Sequence, residues 1–286
     1  MLASRRRIKM HVNWGLLVVL YLFIAGMAGG IYFTTAMYEF FNGAINEKMK
    51  KGYLYAFFLL IIAVVLLILD LERPARFMHM MFAYKFFSPM SMGSWGLFFF
   101  GLNAFITISI NSKGALKPLG ELFLKFLPYK AYILVGSALA IFLSAYTGVL
   151  LSETTITIWA STPFLGSLFL ISGVSCGVCF LMLLNKDNDD FIKKGKMLDN
   201  MCLILELTII LFFVLALTIG YGPYPEIKNL FSGLYGFLFI GLGVVVGAIL
   251  PILMNVFGKI SLASPVLVLI GAFFLRYAIV FAGQIK

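Results

Sequence analysis

Histidine is almost absent from this sequence, with two in 286 residues: His11 in the N-terminal stretch and His79 in a polar segment. A bis-histidine b-haem inside a membrane needs two imidazoles within apolar runs, and neither residue lies in one, which argues against haem. Cysteine is scarce as well. Cys176, Cys179 and Cys202 all sit inside apolar runs. Cys176 and Cys179 form a CxxC, a spacing that in a loop would suggest metal or redox chemistry. No second pair accompanies it, and Ser175-Cys176-Gly177-Val178-Cys179 reads as small residues on one helix face. The expectation is therefore no iron–sulfur cluster and no metal held by this protein. Soluble-enzyme signatures are missing too: no Walker loop, no GxSxG, no HExxH and no dinucleotide glycine pattern. Charge is the remaining shortage, at 12% of residues against about 25% in a soluble domain.

Apolar side chains take the place of what is missing. They make up 62% of the sequence, with 30 Phe and 27 Gly. So much apolar surface cannot be hidden in one soluble core of this length and needs lipid as solvent. Glycine at this level fits helices that approach closely in a membrane. A span needs about 20 apolar residues, and eight stretches qualify: 14–40, 53–70, 92–112, 131–152, 163–185, 201–220, 231–256 and 263–283. The first is too long for a signal-peptide core and lacks a clean cleavage site, so it counts as a span. The expected fold is an all-α integral membrane protein, a single bundle of about eight transmembrane helices.

The formal net charge is +10. No basic run exceeds Arg5-Arg6-Arg7-Ile8-Lys9, so the excess fits topology-setting loops in a lipid bilayer and not nucleic acid. Eight spans put both termini on one side, here side A, with loops 71–91, 153–162 and 221–230. Side B holds loops 41–52, 113–130, 186–200 and 257–262. The lysines from Lys48 to Lys259 concentrate on side B, whereas side-A loops carry Arg73, Arg76, Lys85 and Lys228. By the positive-inside rule side B faces the cytoplasm, with both termini outside a cell membrane. The Arg5–Lys9 tail opposes that assignment and is a candidate partner contact.

Chemistry-bearing residues gather toward side A. Asp70-Leu71-Glu72-Arg73-Pro74-Ala75-Arg76-Phe77-Met78-His79 closes the second span and opens a long loop. Ionisable groups at that depth are costly unless paired or hydrated. Either the acids pair with the arginines and pin the loop, or the cluster is a proton-handling rim, with His79 able to exchange protons near neutral pH. Tyr21 and Tyr146 lie toward side A inside their spans. Each is a hydrogen-bond donor for a ligand carbonyl or a packing aromatic. Glu206 and Arg276 are the clearest charges inside spans, and intramembrane charge points to function. Their expected depths differ by more than two turns, so no direct pair is expected. Glu206 is either part of a proton path from side B or a neutral acid bonded to a neighbouring helix.

These motifs together resemble the polysulfide reductase NrfD family of membrane anchor subunits. The likeness is carried by Trp14 with Tyr21-Leu22-Phe23-Ile24-Ala25-Gly26-Met27-Ala28-Gly29-Gly30, by the Asp70–His79 segment, and by Ser88-Pro89-Met90-Ser91-Met92-Gly93-Ser94-Trp95. Tyr146-Thr147-Gly148-Val149-Leu150-Leu151, Leu170-Ile171-Ser172-Gly173, Leu275-Arg276-Tyr277 and Ala282-Gly283-Gln284 continue it. The resemblance implies a haem-free anchor that binds a quinone of menaquinone or ubiquinone type. It also implies a four-cluster ferredoxin-like iron–sulfur subunit and a large molybdopterin catalytic subunit as partners. Tyr21, Tyr146, Arg76 and Arg276 are then expected at the quinone, with Asp70, Glu72 and His79 as proton carriers. In the polysulfide reductase a histidine holds the position of Tyr21; a tyrosine still donates to a carbonyl but is a poor proton acceptor at neutral pH. A proton-translocating module, a purely structural anchor and a small-solute transporter are the other readings, though a transporter's broken helices around a midplane site are not evident.

Overall fold

The computed structural model describes residues 14–43, 45–71, 88–154, 156–160, 162–221, 225–257 and 262–284. Eight helices in it are long and apolar enough to cross a membrane. They are α1 (Leu16–Asn42), α2 (Glu47–Asp70), α3 (Pro89–Asn111), α4 (Tyr129–Ser152), α5 (Phe164–Leu184), α6 (Asp189–Tyr221), α7 (Gly233–Phe257) and α8 (Ala263–Ala282). The protein is thus an all-α, multi-pass membrane protein. In lipid a helix satisfies its own backbone polar groups, which is why the apolar runs take this form.

Local chemistry sets several ends. Gly43 closes α1 at φ 78°, a backbone conformation that favours glycine, and its N–H reaches Glu39 O at 2.9 Å. Pro89 opens α3 in the first turn, where its missing N–H costs nothing. Two boundaries differ from the sequence expectation by more than about three residues. The second span begins at Glu47 instead of 53, and the sixth begins at Asp189 instead of 201. The stretch expected as loop 186–200 is therefore mostly helix: Phe191 and Ile192 are buried one turn in, and Asp189 and Asp190 occupy the first turn, where acids are favoured. Part of α7, Phe237–Ile249, is wound in wider π-type turns.

The helices form two rings of four. In the first, α1 packs on α2, α2 on α3, α3 on α4 and α4 on α1; in the second, α5, α6, α7 and α8 close in the same way. The rings meet where α1 packs on α5 and α8, and α4 on α5. Glycine makes that seam tight. A Cβ on Gly30 would collide with the Gly173 carbonyl, and one on Gly173 would come 2.8 Å from Gly26 O. Close backbone approach through small residues is how helices associate without a hydrophobic driving force between them. Side B is tied by exposed ion pairs, including Lys48–Asp187 at 2.7 Å and Lys113–Glu47. The Lys48 ammonium holds the Asp187 carboxyl below the ordinary aspartate range.

Candidate functional site

At the side-A end, α1 and α4 bring Tyr21 and Tyr146 together. Both are buried, and their phenol groups are near enough to interact electrostatically. The Tyr146 hydroxyl meets the backbone of Gly93, in the first turns of α3, so that helix fixes the ring's height. A side chain at Gly93 would strike the Tyr146 ring. Around this pair the side-A ends are stitched together. Trp14 N–H donates to Gln284 Oε1 at 2.7 Å, and Gln284 Nε2 donates back to Trp14 O at 3.0 Å. Trp14 and Trp159 rings lie 5.1 Å apart, and Trp159 Nε1 donates to Ile279 O at 2.8 Å. Asp70, half-buried at the end of α2, stands beside Gly15 at the start of α1. Glu72, Arg73, Arg76 and His79 lie outside the described residues.

Deeper in the second ring, Arg276 is fully buried on α8. Its Nη1 donates to Ser172 Oγ and Ala272 O, both at 3.0 Å, and Nη2 donates to Phe169 O at 3.2 Å. The guanidinium also lies 4.8 Å from the Phe169 ring centroid, a contact that favours a cation. Ser172 has a second partner, the buried carboxylate of Glu206. No direct ion pair joins Glu206 and Arg276 at 4.0 Å or less. The fold nevertheless brings them to one place: Ser172 accepts from the cation and donates to the acid. Their depths differ less than the run boundaries suggest, because α6 starts 12 residues before position 201.

Asp199 is a further site residue, within a segment that its polarity marks as loop. It is fully buried on α6, two turns before Glu206 and on the same face. Its Oδ1 accepts from Ser175 Oγ at 2.6 Å and from Cys179 Sγ at 3.4 Å. Asn255 of α7 donates to its Oδ2 at 3.4 Å and to Asn200 Oδ1 at 2.9 Å. The seven-residue spacing from Asp199 to Glu206 is the signal that could have found it. Ser172, Ser175 and Cys179 answer it from α5 at spacings of three and four, again one face.

A second missed acid is Glu39, buried near the side-B end of α1. Its Oε2 accepts from Tyr53 at 2.7 Å and from Tyr129 at 2.9 Å, and Asn111 Nδ2 donates to the Tyr129 hydroxyl at 2.7 Å. Tyr32 continues this polar core, its hydroxyl donating to Asn103 Oδ1 at 3.0 Å and lying 2.9 Å from Thr107 Oγ1. Nothing in the local sequence joins Glu39 to residues 14 and 90 positions away. Among the described residues no cluster of three metal-ligating side chains occurs.

Residues 6–286 match the family model described as polysulphide reductase, NrfD. The sequence is 29% identical to a protein named NrfD homolog from Haemophilus influenzae, and 30% identical to one of the chains of polysulfide reductase from Wolinella succinogenes. Both comparisons cover 96% of this protein and 95% of the relative. A shorter similarity, 32% over 32% of this protein and 21% of the relative, links it to one of the subunits of selenate reductase from Mesobacillus selenatarsenatis.

Proposed function

The protein belongs to the polysulphide reductase NrfD family, and on that premise we propose that it is the quinone-binding membrane subunit of a respiratory oxidoreductase. The observation that carries the reading is the burial of two tyrosine phenols toward the side-A end, Tyr21 and Tyr146, near enough to interact electrostatically. A quinone head group needs hydrogen-bond donors at its carbonyls and apolar walls, and two buried phenols beside the Gly93 turn suit that need. When bound, a quinone supplies two-electron, two-proton redox chemistry. Tyr21 and Tyr146 donate to the carbonyl oxygens and orient the ring. Asp70, with Glu72 and His79 of the following segment, exchanges protons with the water outside. Arg76 is the cation of that segment that would offset a developing negative charge. A four-cluster ferredoxin-like subunit on side A takes or delivers the electrons, and a molybdopterin subunit beyond it carries the terminal substrate. Names of two relatives, a polysulfide reductase chain and a selenate reductase subunit, support membership of such an assembly. Lysine-rich side-B segments support an orientation in the cytoplasmic membrane with side A outward.

Tyr146→Phe tests the site. The ring and its packing on Gly93 stay, and only the hydroxyl goes. Quinol-dependent turnover of the purified complex should fall on the order of tenfold, with the same set of subunits assembled. Unaltered quinol turnover would remove Tyr146 from the site.

A second reading, proton translocation, is favoured by one observation: Asp199 and Glu206, two turns apart on α6, each bond a serine of α5, Ser175 and Ser172, and Ser172 also accepts from Arg276 of α8. Asp199→Asn in proteoliposomes should abolish proton movement beyond that released by quinol itself while leaving quinol oxidation running. Proton yield equal to wild type, or no excess yield in wild type, removes this reading.

A further inference from the structure

We infer that side B carries a binding site for an anionic phospholipid, in the cleft between α6 and α7. This inference stands apart from the quinone reading. The cleft has a volume of about 630 Å³, within the range of sites that hold a small molecule and enough for a lipid head group. Lys193, Lys196 and Asn200 of α6 and Asn255 of α7 form its polar end, and Asp189 is its one carboxylate. Neither lysine has an ion-pair partner among the described residues, whereas the adjacent Lys194 pairs with Asp190 at 3.0 Å. The cleft therefore presents two ammonium groups and one carboxylate, a net positive charge. Asn255 is fixed by its bonds to Asn200 and Asp199.

Helix geometry places this polar end at head-group depth. The 33 residues of α6 span roughly 50 Å at 1.5 Å per residue, against about 30 Å of hydrocarbon. Its first turns therefore project beyond the apolar slab on side B. Following the same face inward, the cleft wall changes from lysine to Met197, Met201 and Ile204. These three are exposed at 68%, 54% and 55%, so an acyl tail can lie along them. Charge at head-group depth continuing into an open apolar track fits a lipid and not a soluble anion, which has no use for the track. Basic pockets between transmembrane helices bind acidic head groups in this way.

Native mass spectrometry of the intact complex in mild detergent tests the assignment, with phosphatidylglycerol and phosphatidylcholine of matched acyl length as probes. Phosphatidylglycerol should be retained over phosphatidylcholine, and Lys193→Gln/Lys196→Gln should weaken its retention by about tenfold or more. Lys194→Gln should change nothing. Each single variant at 193 and 196 should give an intermediate loss, which keeps the test open if the double variant assembles poorly. Equal retention of the two lipids overturns the inference. So does phosphatidylglycerol retention unaffected by the lysine changes, or its full displacement by millimolar inorganic phosphate.

Discussion

The two four-helix rings bury acids in different ways. In the first, Glu39 is held by neutral donors: two tyrosine hydroxyls on one oxygen and an asparagine behind one of them. No lysine or arginine comes within 4.0 Å of it among the described residues. In the second, Glu206 shares Ser172 with a buried arginine, and Asp199 sits two turns away on the same helix face. Charge in hydrocarbon is expensive in either ring. The first meets the cost with hydrogen bonds, each replaceable by the next. The second also holds Asp199 with neutral donors, but sets Glu206 one serine away from a buried arginine, so removing the cation strands that acid. That difference makes the second ring the more sensitive to loss of a single member.

Several substitutions break or sharpen this contrast. The largest effect belongs to the seam that holds the rings together. Gly30→Val places methyl groups where the Gly173 backbone stands; the protein should disappear from the assembled complex, as read by blue-native gels of solubilised membranes. Next is Arg276→Met, which leaves Glu206 buried without its cation and should cost about 3 kcal/mol or more. Adding Glu206→Gln should recover part of the lost thermal stability. A double variant no better than the single would mean that the acid and the arginine are not coupled. The smallest effect belongs to the first ring. Tyr53→Phe removes one of two donors to Glu39 and should cost about 1 kcal/mol, seen as a shift of a few degrees in the melting temperature of the complex. A loss as large as that of Arg276→Met would erase the distinction between the rings.

The membrane fold was legible in the sequence because hydropathy acts locally: about twenty apolar residues in a row leave few options in lipid. The sixth span was misplaced at its start because its first 12 residues are polar on one face. A simple apolar run does not register an amphipathic turn that buries Phe191, Ile192 and Asp199. The candidate site was legible unevenly. Tyr21, Tyr146 and Arg276 stood out by depth and residue type, and the structure adds the burial of both tyrosines near one another and the company Arg276 keeps. Glu39 was missed because its partners Tyr53 and Tyr129 come from other helices. A carboxylate at the edge of an apolar run looks like an interfacial residue until they are in place.

Composition and run length by themselves determined the helices able to cross a bilayer, eight among the described residues, and the order of its motifs pointed to its family. Tertiary structure alone decided which polar residues meet. Hydrogen bonds act over about 3 Å, and such distances between residues far apart in sequence are set by the glycine seam and the helix order. For that reason Ser172 between Arg276 and Glu206, Asn255 on Asp199, and two phenols on Glu39 exist only in the folded bundle.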